Sequence, residues 1–197
     1  NKRVLFIGTD MAVGKMTAGL ELYSWLLEHK KKVGFVATGQ IGITITGKGI
    51  PLDAFKVDHA CGAVEQVVLD QADKDIILIE GQGSLLHPGS TATLPLMRGS
   101  CPTHLILCLR AEKKTLRSPE HIKIPDLNNF IALNESLASV FGTFSRSRVI
   151  GIAANTSMLS ENEAKAYLSK TSKHTGLVTT DPIRYGIATI GEKILMS

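Results

Sequence analysis

The sequence predicts an α/β fold, a mostly parallel sheet held between helices as a three-layer α/β/α sandwich. Short apolar runs that do not alternate with polar residues recur along the chain, as strands buried on both faces require. Segments with helical spacing of apolar residues lie between them, so strand and helix alternate as parallel sheets demand. A third observation locates a site. A glycine loop carrying a lysine, Gly8-Thr9-Asp10-Met11-Ala12-Val13-Gly14-Lys15-Met16-Thr17, separates the first strand from the first helix.

The elements read in order as follows. Val4-Leu5-Phe6-Ile7 is the first strand, and residues 18–30 form a helix around Leu20, Tyr23, Trp25, Leu26 and Leu27. Lys30-Lys31-Lys32 closes that helix where cations oppose its dipole. Residues 33–38 are a second strand, ending at Gly39-Gln40. Residues 41–51, with Gly42, Gly47 and Gly49 among β-branched neighbours, read as an irregular loop or a short hairpin. Residues 58–72 are a helix, which Asp58 would cap. Ile76-Ile77-Leu78-Ile79 is the third strand, ending at Glu80-Gly81-Gln82-Gly83. A loop with His87-Pro88-Gly89 leads to a short helix reaching Arg98, and residues 104–109 are the fourth strand.

Residues 110–128 hold two prolines with Lys113, Lys114, Arg117, His121 and Lys123, and read as a long loop. Loops of that length in compact domains are lids, binding loops or plain solvated segments. Residues 129–141 are a helix and 148–154 a strand ending at Asn155. Ser160 and Glu163 carry a capping-box pattern for the next helix. Residues 176–179 form the last strand, Asp181-Pro182 would start a helix, and a terminal helix closes the chain.

A length of 197 residues, without repeats or an internal boundary, makes residues 1–197 one domain. The hydrophobic fraction of 44% and charged fraction of 20% exclude a disordered chain. A net charge of +4 without a dense basic run suits small anionic substrates. An aromatic fraction of 5% argues against stacking platforms, so no nucleic-acid partner is expected. Apolar runs fall short of a membrane span, so no membrane partner is expected either. Cys61, Cys101 and Cys108 show no paired or metal-like spacing and read as buried thiols of a cytoplasmic protein. The chain begins at Asn1, almost directly in a strand, and upstream sequence is expected to precede it.

In open parallel sheets ligands bind beyond the carboxyl ends of the strands. Polar residues gather there: Thr9 and Asp10, Thr38 and Gln40, Glu80 and Gln82, Arg110, Asn155, Thr180 and Asp181. A loop of backbone N–H groups at a positive helix end, with a lysine, is what a phosphate needs. The common phosphate loop has four residues between its glycines and a hydroxyl directly after the lysine. Here five residues separate Gly8 from Gly14, and Met16 stands before Thr17.

This loop resembles that of dethiobiotin synthetase and the cobyrinate amidotransferases, members of the P-loop NTPase-like proteins. Glu80-Gly81-Gln82-Gly83 and Asn155 match their acidic strand end and base-contacting asparagine. The resemblance implies phosphate binding by Gly8, Thr9, Asp10, Ala12, Val13, Gly14, Lys15, Met16 and Thr17. It implies Glu80 as metal ligand or base, and Asn155 beside a nucleobase. Met16 occupies the place of the hydroxyl that binds Mg²⁺, and a thioether is a poor ligand for a hard cation.

A second resemblance covers nearly the whole chain. Gly8 to Lys15, Ala37-Thr38-Gly39-Gln40, Glu80 to Pro88 and Thr180-Asp181-Pro182 are similar to the C-terminal domain of the D-glutamate N-acetyltransferase-like family. That family implies a Rossmann-like N-terminal domain, a homo-oligomer and acetyl transfer from acetyl-CoA to a D-amino acid. Lys15, Glu80 and His87 are then the catalytic candidates, with Glu80 or His87 as base. Thr38, Gln40, Gln82, Arg110 and Asp181 are substrate candidates, and Arg110, Arg184 or the basic loop would pair carboxylates. ATP-dependent ligation or phosphorylation is the competing reading, with Glu80 and Asp10 or Asp58 recruiting Mg²⁺. A non-catalytic nucleotide-binding domain is the third. His87 would equally hold its loop by hydrogen bonds, and Asn155 would equally serve a turn.

Overall fold

The computed structural model describes residues 1–197. Strands β1 (Lys2–Gly8), β2 (Val33–Val36), β3 (Ile76–Ile79), β4 (His104–Arg110), β5 (Arg148–Asn155) and β6 (Val178–Thr180) form one sheet. Their order is β2-β3-β1-β4-β5-β6, and every neighbouring pair is parallel. The helices are α1 (Lys15–Glu28), α2 (Gln40–Thr46), α3 (Val57–Leu69), α4 (Thr93–Ser100), α5 (Leu127–Ser139), α6 (Glu161–Thr175) and α7 (Ala188–Met196). None is long and apolar enough to cross a membrane.

Strand alternation on β1 makes the three layers. Leu5 and Ile7 join a core with Val64 of α3, Leu96 of α4 and Phe130 of α5. Val4 and Phe6 face the opposite way, onto Leu22 and Leu26 of α1 and Ile190 and Ile194 of α7. A strand covered on both faces buries every side chain, which is why its sequence does not alternate. Each large apolar side chain buried this way contributes about 1.5–3 kcal/mol. Helix α7 approaches α1 closely at Gly191, where an added Cβ would lie 2.4 Å from the Trp25 ring.

Residues 41–51 differ from the expected loop or hairpin. They begin in helix α2, which ends at Gly47 with φ 70°. Glycine and β-branched residues are poor helix formers, so propensity pointed elsewhere. A long-range anchor overrides it: Glu80 Oε2 accepts from Thr38 N at 2.8 Å and Gly39 N at 3.1 Å, just before the helix. What survives of strand pairing is the parallel bridge of Ala37 with Gly49.

Other element ends also differ from expectation. Asp58 lies inside α3 and caps nothing, since Lys56 takes the N-cap position. The cap that sequence reading missed is Asp126, which accepts from Asn128 N at 2.9 Å and starts α5. Asp181-Pro182 opens a turn, not a helix, and α7 begins only at Ala188. Of the three cysteines only Cys108 is buried; Cys61 and Cys101 are partly exposed.

The capping box at α6 forms as expected, with Ser160 Oγ accepting from Glu163 N and Glu163 accepting from Ser160 N. Ser160→Ala is expected to cost about 1 kcal/mol, read as a lower urea midpoint with unchanged slope. An unmoved midpoint would contradict that role.

Candidate functional site

Strand β1 delivers the loop at residues 8–14 to the carboxyl rim, and α1 starts directly behind it. Ala12 (φ 53°) and Gly14 (φ 104°) take left-handed backbone, which coils the loop. The N–H groups of residues 12–17 have no acceptor within the chain. Six consecutive free donors at a helix N-terminus are an anion cradle.

Lys15 completes it. Its stem runs between two glycines: an added Cβ at Gly8 would lie 3.0 Å from Nζ, and one at Gly81 would lie 3.0 Å from Cδ. The Nζ donates to the main-chain oxygen of Asp10 at 2.9 Å. Burial pushes this ammonium below its ordinary value of 10.5, while Cys108, Asp10 and Glu80 pull the other way. Cys108 is wholly buried and its thiol is pushed up to about 12, so at neutral pH the opposing charge comes from the two carboxylates. A desolvated cation with one neutral partner interacts strongly with an arriving anion.

Glu80 sits at the end of β3, 4% exposed. One carboxylate oxygen is committed to the two amides that start α2, and the other has no hydrogen-bond partner in the chain. The α2 backbone closes around it, since a Cβ at Gly42 would lie 2.4 Å from Oε2. Thr38 is 1% exposed and donates its hydroxyl to the Glu80 main-chain oxygen at 2.9 Å. Gln40 turns outward to Asp53 at 3.3 Å. Gln82 stays by the site, its amide nitrogen 2.4 Å from where a Cβ on Gly39 would be.

On the far side of the cradle a cavity of about 350 Å³ opens between α1 and the ends of β5 and β6. Val13, Gly14, Thr17, Asn155, Asp181 and Arg184 are among its lining residues. Asn155 Oδ1 accepts from Ser157 N at 3.0 Å, leaving its Nδ2 as a free donor. Asp181 frames the cavity. Its Oδ2 accepts from Thr156 N and Oγ1, and its Oδ1 from Ile183 N and Arg184 N. Burial raises this carboxyl and those bonds outweigh it, leaving it below its ordinary value. Arg184 reaches back to the Leu159 carbonyl at 2.6 Å.

Asp10 has a partner that sequence reading does not foresee, and His87 takes the loop-holding role that was one of its two expected ones. Asp10 Oδ1 accepts from Met11 N and Oδ2 from Arg117 N, both at 2.7 Å. His87 Nδ1 accepts from Gly89 N at 3.1 Å, which assigns the proton to Nε2, donating to the Ser118 carbonyl at 2.7 Å. Both ring nitrogens are therefore engaged in holding loops. Arg110 Nη2 donates to the Ala12 carbonyl at 3.2 Å, on the rim of the cradle.

The parallel sheet, the coiled glycine loop and the buried lysine define a P-loop domain. The chain belongs to the family described as "Domain of unknown function (DUF1611_C) P-loop domain", which matches residues 1–191. It is 39% identical over 186 residues to a D-glutamate N-acetyltransferase from Tritonibacter scottomollicae, covering 94% of this chain and 55% of that protein. A crystal structure of a DUF1611 family protein from Anabaena variabilis superimposes with a TM-score of 0.97 at 47% identity, covering 100% of this chain and 57% of that one. The cobyrinic acid a,c-diamide synthase of Mycobacterium smegmatis, solved with an ATP analog and magnesium, shares the fold with a TM-score of 0.58 at 13% identity. That match covers 90% of this chain and 84% of that one. The chain spans a little over half the length of the curated relatives it matches.

Proposed function

We propose that this chain is the phosphate-holding domain of an enzyme that transfers an acetyl group from acetyl-CoA to the amine of a D-amino acid. The observation that carries the reading is the run of free N–H groups over residues 12–17 with Lys15 beside it. A pyrophosphate fits those donors in number and charge. The cavity beside Asn155 is of a size for the adjoining nucleoside, with Nδ2 as its side-chain donor. The names of the relatives support the acyl transfer.

Acetyl-CoA supplies the acyl group as a thioester. The chain's part is to hold, orient and move one proton. The cradle and Lys15 hold the phosphates, and the free oxygen of Glu80 takes the proton that the acceptor amine loses as its C–N bond forms. The C–S bond breaks, Glu80 gives that same proton to the departing sulfur, and coenzyme A leaves as the thiol with the carboxylate restored. His87 keeps the loops closed and is not the base in this scheme. A cytoplasmic setting suits the free thiols, and an upstream domain, for which the longer relatives leave room, would complete the acceptor site.

The donors fit Mg²⁺ less well than they fit phosphate. Met16 stands where a hydroxyl would be, Glu80 has one oxygen to spare, and no group of three or more His, Cys, Asp or Glu converges to hold a metal. Titration calorimetry separates this reading from ATP-dependent ligation. Binding of acetyl-CoA without added metal is the expected result. Tight ATP binding that needs Mg²⁺, with none for coenzyme A, would overturn it.

A further inference from the structure

The segment between β4 and α5 is fastened at both sides of the cradle. It folds back on itself, with Thr115 bridging Lys123, Leu116 N donating to the Ile122 carbonyl and Ile124 N to the Lys114 carbonyl. Leu116 is 1% exposed and plugs the hairpin into the body. The buried Asp10 carboxylate clamps the main chain at Arg117, and His87 clamps it one residue later at Ser118. A solvated loop needs no such anchors.

What the anchors hold in place is positive charge. Arg110, Lys113 and Arg117 line one cleft with Thr9, Asp10 and Met11, and none of the three makes an ion pair with a carboxylate. Both oxygens of Asp10 go to backbone amides, so its nearby charge meets no guanidinium or ammonium in a hydrogen bond. An anion entering this cleft would meet positive charge that no carboxylate of the chain already neutralises.

We propose that Arg110, Lys113 and Arg117 form a second anion subsite beside the phosphate cradle, one that takes a carboxylate of the acyl acceptor. The proposal rests on the acyl-transfer reading above. The cradle already supplies the phosphate donors, and a planar guanidinium pairs a carboxylate through two parallel hydrogen bonds. An acceptor held there by its carboxylate lies against Thr9 and Asp10, on the rim that also carries Lys15 and Glu80.

The test is titration of glutarate, a dicarboxylate without a reactive amine, into the chain saturated with pyrophosphate at 0.15 M salt. The comparison is Lys113→Ala/Arg117→Ala, which leaves Arg110 and the cradle intact, with a melting curve as the check on folding. Glutarate binding is expected to weaken at least tenfold in the double variant while pyrophosphate binding changes less than threefold. Equal glutarate binding by both chains, or none by the unaltered chain, overturns the subsite. A double variant that loses only the preference for coenzyme A over dephospho-coenzyme A would assign these cations to a phosphate and also overturn it. Failure of coenzyme A to bind the unaltered chain would strike the acyl-transfer reading instead, and the glutarate titration reports separately.

Discussion

Lys15→Ala is expected to remove pyrophosphate binding, weakening it by about 2–5 kcal/mol, or at least roughly thirtyfold in Kd, with the fold retained. The lysine is 7% exposed and its ammonium meets one carbonyl, so the charge is held ready for an anion and does little for the empty chain. Titration heats equal to those of the unaltered chain would contradict the cradle. Lys15→Met, which keeps most of the stem, adds a test by pH. The ammonium titrates below 10.5 in the folded chain and near 10.5 when unfolded. Between those values the unfolded chain holds a proton that the folded chain has released, so the contribution of Lys15 to stability rises with pH across that window. Below the folded pKa its burial penalty is present in full. The methionine variant should therefore be the more stable chain at pH 7, by a margin in urea that narrows as pH climbs toward 10.5. A margin independent of pH would show that Lys15 is not desolvated as described.

Gly81→Ala is the second large effect, and it acts through backbone. A Cβ there would lie 1.6 Å from the Phe6 carbonyl oxygen and 2.7 Å from its carbon. Phe6 belongs to the central strand and is 0% exposed, so it has nowhere to go. The turn after β3 must move instead, taking Glu80 away from Thr38 and pressing on the Lys15 stem. Overpacking against a rigid core costs about 3 kcal/mol. The expected outcome is a matching fall in unfolding free energy together with loss of pyrophosphate binding. A variant with full stability and full binding would mean that the close packing of the turn against β1 is not needed.

Much of the proposed phosphate site was legible because it is contiguous. An apolar run, a glycine loop and a lysine opening a helix are neighbours in sequence, and local sterics and dipoles suffice to read them. The α6 start was legible for the same reason, since Ser160 and Glu163 cap within one turn. Helix α2 was not. Its residues favour strand or loop, and it forms where Glu80, some 40 positions away, accepts from Thr38 and Gly39. The family resemblance implies Glu80 as a base or metal ligand, yet one oxygen of its carboxylate belongs to that helix. Asp126 escapes notice as a cap because residues 110–128 read as a single loop with no helix start inside it.

The sequence alone therefore determined the layered α/β fold, the polar rim at the strand ends and the coiled glycine loop proposed to hold phosphate. Each is written in periodicity or in a few adjacent residues. The tertiary structure decided what stands around that loop: Gly8 and Gly81 flanking the lysine, Asp10 reaching Arg117, and His87 reaching Ser118. These partners lie far apart in the chain, and only the order of strands in the sheet brings them to one edge.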